Sequence, residues 1–254
     1  MNVFNNRQSS ENHQHIDASD VSPWKNLYRI GGFGALIAGL LTLLDVVVFA
    51  VWPQPTTING WFTLFQSSSF IGLLDLDFLG IIAYILLFPT LLALYIALRR
   101  ASQSWMAIGT TLAFAGMTVY MASNTAFSML SLSNQYAAAT TDVQRSMFLA
   151  AGQAMIAIFF GPAFTESYIL VSAALLIVSV IMIRTNIFSK RTASVGIVAT
   201  LAGLGEYVPV QATSLPLTFM NALFLGIWFA LIGRRLYQLG CKKENAHERS
   251  LTHY

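Results

Sequence analysis

Uncharged apolar stretches long enough to cross a lipid bilayer recur along the chain. In the clearest one, two acids precede residues 78–98, two arginines follow them, and the 21 residues between carry no charge. At about 1.5 Å per residue, a helix of this length spans roughly 30 Å, the thickness of the hydrocarbon core. The whole pattern predicts an all-α integral membrane bundle of six transmembrane helices, at 27–52, 73–98, 105–132, 165–184, 192–211 and 215–238.

One further segment, 142–160, has a different pattern. Thr141 and Gln144 have the spacing of a capping box, and Gly161-Pro162 ends the helix that they begin. The segment is apolar only from Met147, which leaves about 14 apolar residues, too few for an ordinary crossing. We therefore expect a short helix that re-enters the membrane or lies on its outer surface.

The positions of the basic residues distinguish six crossings from seven. With six, every Lys and Arg except Arg145 lies on one side of the membrane; a crossing at 142–160 would move eight of the fourteen to the other side. Cytoplasmic loops are enriched in Lys and Arg, which favours six. The prediction is a plasma-membrane protein with a disordered cytoplasmic tail (1–22), a transmembrane domain (23–239) and a second cytoplasmic tail (240–254).

Composition excludes several classes of protein. The chain is 56% hydrophobic and only 10% charged, far from the balance of a soluble domain. It has no basic patch interleaved with aromatic residues, so we expect no nucleic-acid partner. A single cysteine, Cys241, excludes an intrachain disulfide, and all four histidines lie in the tails, away from any intramembrane zinc or haem. No catalytic or phosphate-binding motif occurs, so we expect no cofactor, and the sequence favours a non-enzymatic role while leaving enzymatic activity open.

Four stretches together resemble a known family. They read YRIGGFGALIAGLL, LLDLDFLGIIAYILLFPTLLALYIALRR, AFSMLSLSNQYAAATTDVQRSMFLAAGQAM and SYILVSAALLIVSVIMIRTNIFSKRTASVGI. Their order and spacing over about residues 27–210 resemble the prokaryotic membrane family called domain of unknown function 4386. The resemblance implies an integral multi-helix membrane fold and no particular reaction, so no catalytic residue is carried over from it.

The acids within or beside the predicted spans point to a binding site. By the direction of each span, the candidate residues fall in the outer half of the membrane or at its outer surface: Asp45, Asp77, Asn124, Glu166 and Glu206. A charged side chain at mid-bilayer costs about 2.5–3.5 kcal/mol, so several of them should face the bundle interior. There they would be protonated, would bind a cation through oxygen ligands, or would line a water-filled cavity.

A less specific interpretation stays open for some of these acids. Asp75 and Asp77 are also consistent with solvated positions at the outer interface, and Glu166 with a solvated acid stabilised by a helix N-terminus. Asp45 and Glu206 are harder to explain in this way, because both lie inside otherwise apolar spans.

Three functional hypotheses follow. The first is a carrier or binding protein whose outward-facing acidic cavity takes a cation or a small cationic or amphipathic molecule. The second is a structural or accessory protein that packs against a still unidentified partner protein in the bilayer. Small residues that allow close helix packing motivate it: Gly31, Ala35, Gly39, Gly109, Ala113, Gly116, Ala222, Gly226 and Ala230. The third, ranked lowest, is an intramembrane hydrolase with a carboxylate-bound metal of unknown identity, which needs at least three converging oxygen ligands.

Overall fold

The computed structural model of the chain describes residues 22–205 and 214–241, and this part is helical without strands. A short 3-10 turn, Ser22–Trp24, precedes the first α-helix. The α-helices are α1 Lys25–Val51, α2 Ile58–Ser67, α3 Ser69–Asp75, α4 Phe78–Leu98, α5 Gln103–Ser123, α6 Ala126–Ala138, α7 Asp142–Phe159, α8 Pro162–Ile183, α9 Lys190–Gly205 and α10 Ser214–Cys241. The all-helical prediction is thereby confirmed.

Five apolar helical segments in the described part are long enough to cross a membrane. They are Lys25–Val51, Phe78–Leu98, Gln103–Ala138, Asp142–Ile183 and Leu217–Cys241. Predicted span 192–211 begins within α9, but its last residues lie outside the described ones. The described chain therefore has the helices of a membrane-embedded protein.

The long helices pack around one apolar core. Helix α1 lies against α4 and α10, α5 lies against α8, and α9 packs on α8 and α10. The largest side chains fully buried in this main core are Tyr28, Leu94, Leu98, Met106, Met117 and Trp228. Because these helices pack side by side, residues at the same height on different helices can meet in the interior.

Small residues let these helices approach closely within the chain. A Cβ atom placed on Gly31 would lie 2.8 Å from the Pro89 carbonyl oxygen of α4. One on Gly39 would lie 2.8 Å from the Gly226 carbonyl oxygen of α10. On α5, one on Gly116 would lie 2.8 Å from the carbonyl oxygen of Ser167. These three glycines are thus covered by neighbouring helices of the same chain and are not available to a partner protein.

The two ends of the bundle differ in charge. Arg29 at the start of α1 donates from Nε to the Gly240 carbonyl oxygen at the end of α10 (3.0 Å), and the antiparallel pairing of α1 with α4 brings Arg99 to the same end. We call this the Arg99 end and the opposite one the Asp77 end. From the direction of each helix, all described basic residues except Arg145 lie at the Arg99 end: Lys25, Arg29, Arg99, Arg100, Arg184, Lys190, Arg191, Arg234 and Arg235.

Two helices that hydropathy predicts as continuous are divided in the structure. The predicted span 73–98 breaks between α3 and α4, and the predicted span 105–132 breaks between α5 and α6. One side chain serves both breaks. Asn124 donates from Nδ2 to the Leu76 carbonyl oxygen (3.0 Å) and accepts at Oδ1 from the backbone N–H of Ala126 (3.0 Å). The amide replaces helical hydrogen bonds that the backbone gives up at these positions.

A second apolar cluster covers the Asp77 end. It is formed mainly by α2, α6 and α7 and contains Trp61, Phe62, Phe65, Leu76, Ala126, Met129 and Phe159. The helix expected at 142–160 is present as α7, and Thr141 accepts a capping hydrogen bond from the Gln144 N–H (3.2 Å). Gly152 of α7 packs against the Phe62 ring. Helix α7 therefore belongs to this cluster and not to the main core.

Candidate functional site

Asp77 occupies an unusual backbone position between α3 and α4. Its φ of 58° and ψ of 45° are left-handed, and no other non-glycine residue in the described part has a positive φ. Most side chains are strained in this region, whereas Asp and Asn tolerate it. Asp77 caps α4, since its Oδ1 accepts a hydrogen bond from the Gly80 N–H (2.9 Å). The cap and the backbone together hold this carboxylate in one orientation.

The carboxyl groups of Asp45 and Asp77 meet although they come from different helices. They are in hydrogen-bonding contact with each other, and the Tyr120 hydroxyl of α5 donates to the Asp77 carboxylate. The Tyr120 ring packs edge-on against Tyr84, with 4.6 Å between ring centroids. On Asp45, Oδ1 is buried and has no hydrogen-bond partner among the described residues. Two carboxyl groups in such contact need a proton or a cation between them.

Asp45 and Asp77 line a cavity of about 100 Å³, which we call the acidic cavity. Helices α1, α4, α5, α8, α9 and α10 contribute to its wall. Its other hydrogen-bonding side chains are Thr42, Tyr84, Tyr120, Tyr168, Ser172, Thr200 and Asn221. Among the described residues that line it there is no Lys or Arg, so the wall offers oxygen ligands and negative charge without a fixed positive counter-ion.

The structure brings some of the predicted site residues together and separates others. Asp45 and Asp77 share the acidic cavity, whereas Asn124 lies behind it and fixes the chain before Asp77. Glu166 is exposed and does not line the cavity. Tyr168 is the first α8 residue that lines the cavity. Because two residues correspond to about 200° around a helix, Glu166 lies on the opposite side of α8 from Tyr168. Glu206 lies outside the described residues.

Sequence reasoning did not single out four polar residues of the cavity wall, namely Thr42, Ser172, Thr200 and Asn221. Hydroxyl side chains are common in membrane helices, where they bond to their own backbone, as Thr42 does to the Ala38 carbonyl oxygen (2.9 Å). Asn221 is different, because an amide in an apolar span needs a partner; it donates from Nδ2 to the Tyr168 hydroxyl (3.3 Å). Among these four residues, the Asn221 amide is the one whose presence in an apolar span could have indicated a place in the cavity wall.

Asp75 is buried, whereas its sequence position beside Asp77 led us to expect a solvated acid at the outer interface. It ends α3, is 1% exposed, and neither carboxylate oxygen has a hydrogen-bond partner among the described residues. Burial raises the pKa of its carboxyl to about 6. Close packing explains the burial, since Gly72 of α3 lies against the Phe65 ring of α2 and Gln54 donates to the Asp75 carbonyl oxygen (2.8 Å). The expectation of a solvated Asp75 was wrong.

The metal-dependent hydrolase gains no support from the described part of the chain. No group of three or more His, Cys, Asp or Glu side chains comes together there in a way that would hold a metal ion. Asp45 and Asp77 supply two of the ligands that such a site requires, and Glu166 is exposed elsewhere on α8.

Comparisons with known proteins give no relative for this chain. No family model, no curated protein and no solved structure matches it. Function is therefore inferred from the arrangement of Asp45, Asp77 and Tyr120 and from the cavity that they line.

Proposed function

We propose that this chain is a multi-pass membrane protein that binds a small monovalent cation, in competition with a proton, at the Asp45–Asp77 pair. The observation that carries the proposal is the contact between these two carboxyl groups inside an apolar bundle. With no basic residue in the described wall, a proton or a metal cation is what relieves the charge of the pair. The resemblance to domain of unknown function 4386 stays a prediction and supplies no ligand.

The size and chemistry of the acidic cavity favour a small ion. A volume of about 100 Å³ holds an ion with a few waters and is too small for a large amphipathic molecule. Its carboxylate, hydroxyl and amide oxygens suit hard cations such as Na⁺ and Li⁺. With two carboxylates and no third in the described wall, one proton or one monovalent ion is the natural occupant.

The membrane arrangement in this proposal has six crossings, with the predicted span 192–211 as the fifth. The concentration of basic residues at the Arg99 end supports placing that end and both termini in the cytoplasm. The acidic cavity then lies toward the outer face. Helix α7, which packs on α2 and α6, would lie on the outer surface or dip into it.

The test is ligand-linked stability of the purified protein in detergent. We expect NaCl or LiCl to raise the unfolding temperature relative to choline chloride, by about 5–10 °C at a hundredfold excess over the dissociation constant. Lowering the pH should weaken the effect, because protons compete for the same oxygens. Methylammonium chloride tests whether a small organic cation is accepted instead.

Variants assign the effect to the pair. Asp45→Asn and Asp77→Asn should each abolish the ion-dependent rise, whereas Glu166→Gln should retain it, since Glu166 is an exposed acid away from the cavity. An ion response that is equal in wild type and in the Asp45→Asn variant would refute the proposal. So would the absence of any response in the wild type.

A further inference from the structure

Two fully buried polar groups face the same glycine where α8, α9 and α10 meet. Ser179 and Trp228 are both 0% exposed, and neither Ser179 Oγ nor Trp228 Nε1 has a hydrogen-bond partner among the described residues. A side chain on Gly196 of α9 would collide with both atoms. Unpartnered buried polar groups are costly, and two at one point call for a functional explanation.

This point lies between the acidic cavity and a second cavity at the Arg99 end. The second one, of about 450 Å³, we call the basic cavity; its polar wall consists of Asn186, Ser189, Thr192, Arg234, Arg235 and Gln238. On α10, Asn221 lines the acidic cavity and Arg235 lines the basic one. Trp228 is midway, seven residues from each, which on a helix is close to the same face.

The other two helices repeat this arrangement. From α8, Ser172 lines the acidic cavity, Ser179 follows seven residues later, and Asn186, just beyond the helix, lines the basic cavity. The equivalent α9 residues are Thr200, Gly196 and Thr192, at intervals of four. The three helices thus place polar positions at both cavities and, on α8 and α10, at the point between them, where Ser179 and Trp228 close on Gly196.

Helix α9 is suited to move at this point. It packs on α8 and α10 and makes few contacts with α1, α4 or α5. Its buried face consists of small residues: Thr192, Ala193, Gly196, Ala199, Thr200, Ala202 and Gly203. Such a face can shift without pulling large side chains out of pockets. A small outward displacement would admit water, which can bond to both Ser179 and Trp228.

We propose that α8, α9 and α10 form a proton route between the acidic and basic cavities, closed in this structure by the contact of Ser179 and Trp228 with Gly196. The inference rests on the proposed function, because its proton comes from the Asp45–Asp77 pair. When α9 moves, that proton leaves the pair along hydrogen-bonded water and reaches solvent through the basic cavity. The pair is left negative and takes a cation or another proton.

The first experiment measures proton entry into liposomes that contain the full chain and a pH-sensitive dye, driven by a potassium diffusion potential. We expect Trp228→Phe combined with Ser179→Ala to lower the flux roughly thirtyfold, the effect of removing two hydrogen bonds of ordinary strength. Gly196→Val should abolish the flux, because its side chain would fill the space beside Ser179 and Trp228 that water has to enter. Gly109→Ala is the matched control, since its nearest neighbour, Ile177 Cγ2, is 3.3 Å away. Ion-linked stabilisation in detergent shows which variants still fold and bind.

The second experiment does not depend on the pair. Hydrogen exchange of the indole N–H groups, followed by NMR in D₂O, should be faster for Trp228 than for Trp61, although the two are 0% and 2% exposed. Unchanged flux in the folded double variant, or slower exchange at Trp228 than at Trp61, would overturn the route and leave ion binding intact. If wild type shows no ion-linked stabilisation but fast Trp228 exchange, the proposed function fails and with it the proton source.

Discussion

The Tyr120 hydroxyl donates a hydrogen bond to the carboxylate of Asp77, and this contact joins α5 to the residue that caps α4. Asp77 in turn contacts Asp45 of α1, so three helices meet at one carboxylate. The Tyr120 ring is held in place by its edge-on contact with Tyr84. The orientation of the acid pair is therefore set by side chains that are themselves fixed.

Tyr120→Phe keeps the ring and removes the hydroxyl. A hydrogen bond to a charged group contributes about 1.5–3 kcal/mol, so the variant should be less stable by that order and should bind the cation more weakly. Chemical denaturation in detergent measures the first effect, and ion-linked thermal shifts measure the second. Tyr136→Phe is the control, because that ring packs on Phe62 in the second cluster. Equal behaviour of the two variants would contradict the role given to Tyr120.

Gly80→Ala should disrupt the site. A Cβ atom at this position would collide with the Asp77 carboxylate, which accepts the Gly80 N–H. The expected loss of stability is about 2–3 kcal/mol, even though Ala is the better helix former. In Gly109→Ala the nearest atom is 3.3 Å away, and the change should stay within about 1 kcal/mol. A Gly80→Ala variant as stable and as ion-responsive as wild type would show that the Asp77 carboxylate is not held as described.

Asp75 should make stability depend on pH. The pKa of its carboxyl is about 6 in the folded protein and near 3.8 in an exposed one, so the folded state binds more protons between these values. Stability should therefore fall as pH rises from about 4 to about 6, by up to about 3 kcal/mol. Asp75→Asn should remove this slope and be the more stable protein at pH 7. Unfolding temperatures across this range measure it, with Glu166→Gln as the control; a slope unchanged in Asp75→Asn would refute the assignment.

Thr90 tests the packing of α1 on α4. This side chain is fully buried and donates to the Gly31 carbonyl oxygen on the neighbouring helix (2.7 Å). Thr90→Val keeps the shape and should cost about 0.6–1.7 kcal/mol, the range found for hydrogen bonds between membrane helices. Thr90→Ser keeps the hydroxyl and should lose less. Reversible unfolding measures both losses. If Thr90→Ser lowers the free energy of unfolding more than Thr90→Val does, packing of the methyl group contributes more than the hydrogen bond.

Hydropathy and charge were enough to predict the class of fold and that Asp45 and Asp77 would lie away from the arginine-rich end of the bundle. In lipid every backbone polar group needs a hydrogen bond within the protein, so long uncharged stretches form helices, and basic residues at alternate ends of these stretches mark one face. From these two facts it followed that Asp45 and Asp77 would lie in the outer half of the membrane or at its outer surface. Their direct contact could not be predicted, because it depends on how α1 is rotated against α4.

The helix breaks were beyond sequence reasoning for a similar reason. Asn124 ends α5 because its amide finds the Leu76 carbonyl oxygen on another segment, and hydropathy contains no information about such a contact. Glu166 and Tyr168 are neighbours in sequence, yet one is exposed and the other lines the acidic cavity. Which of them faces inward was decided by the packing of α8 against α5, which a single sequence does not reveal.

The left-handed backbone at Asp77 limits what chemistry this position can host. Only Gly, Asn and Asp enter that conformation readily, and of these only Asp can carry a negative charge. A saturation library sorted for folded protein should return this trio at position 77, and one sorted for ion response should return Asp alone. Asp77→Asn therefore removes the negative charge at this position and keeps the left-handed backbone, whereas most other substitutions would change the conformation of the turn.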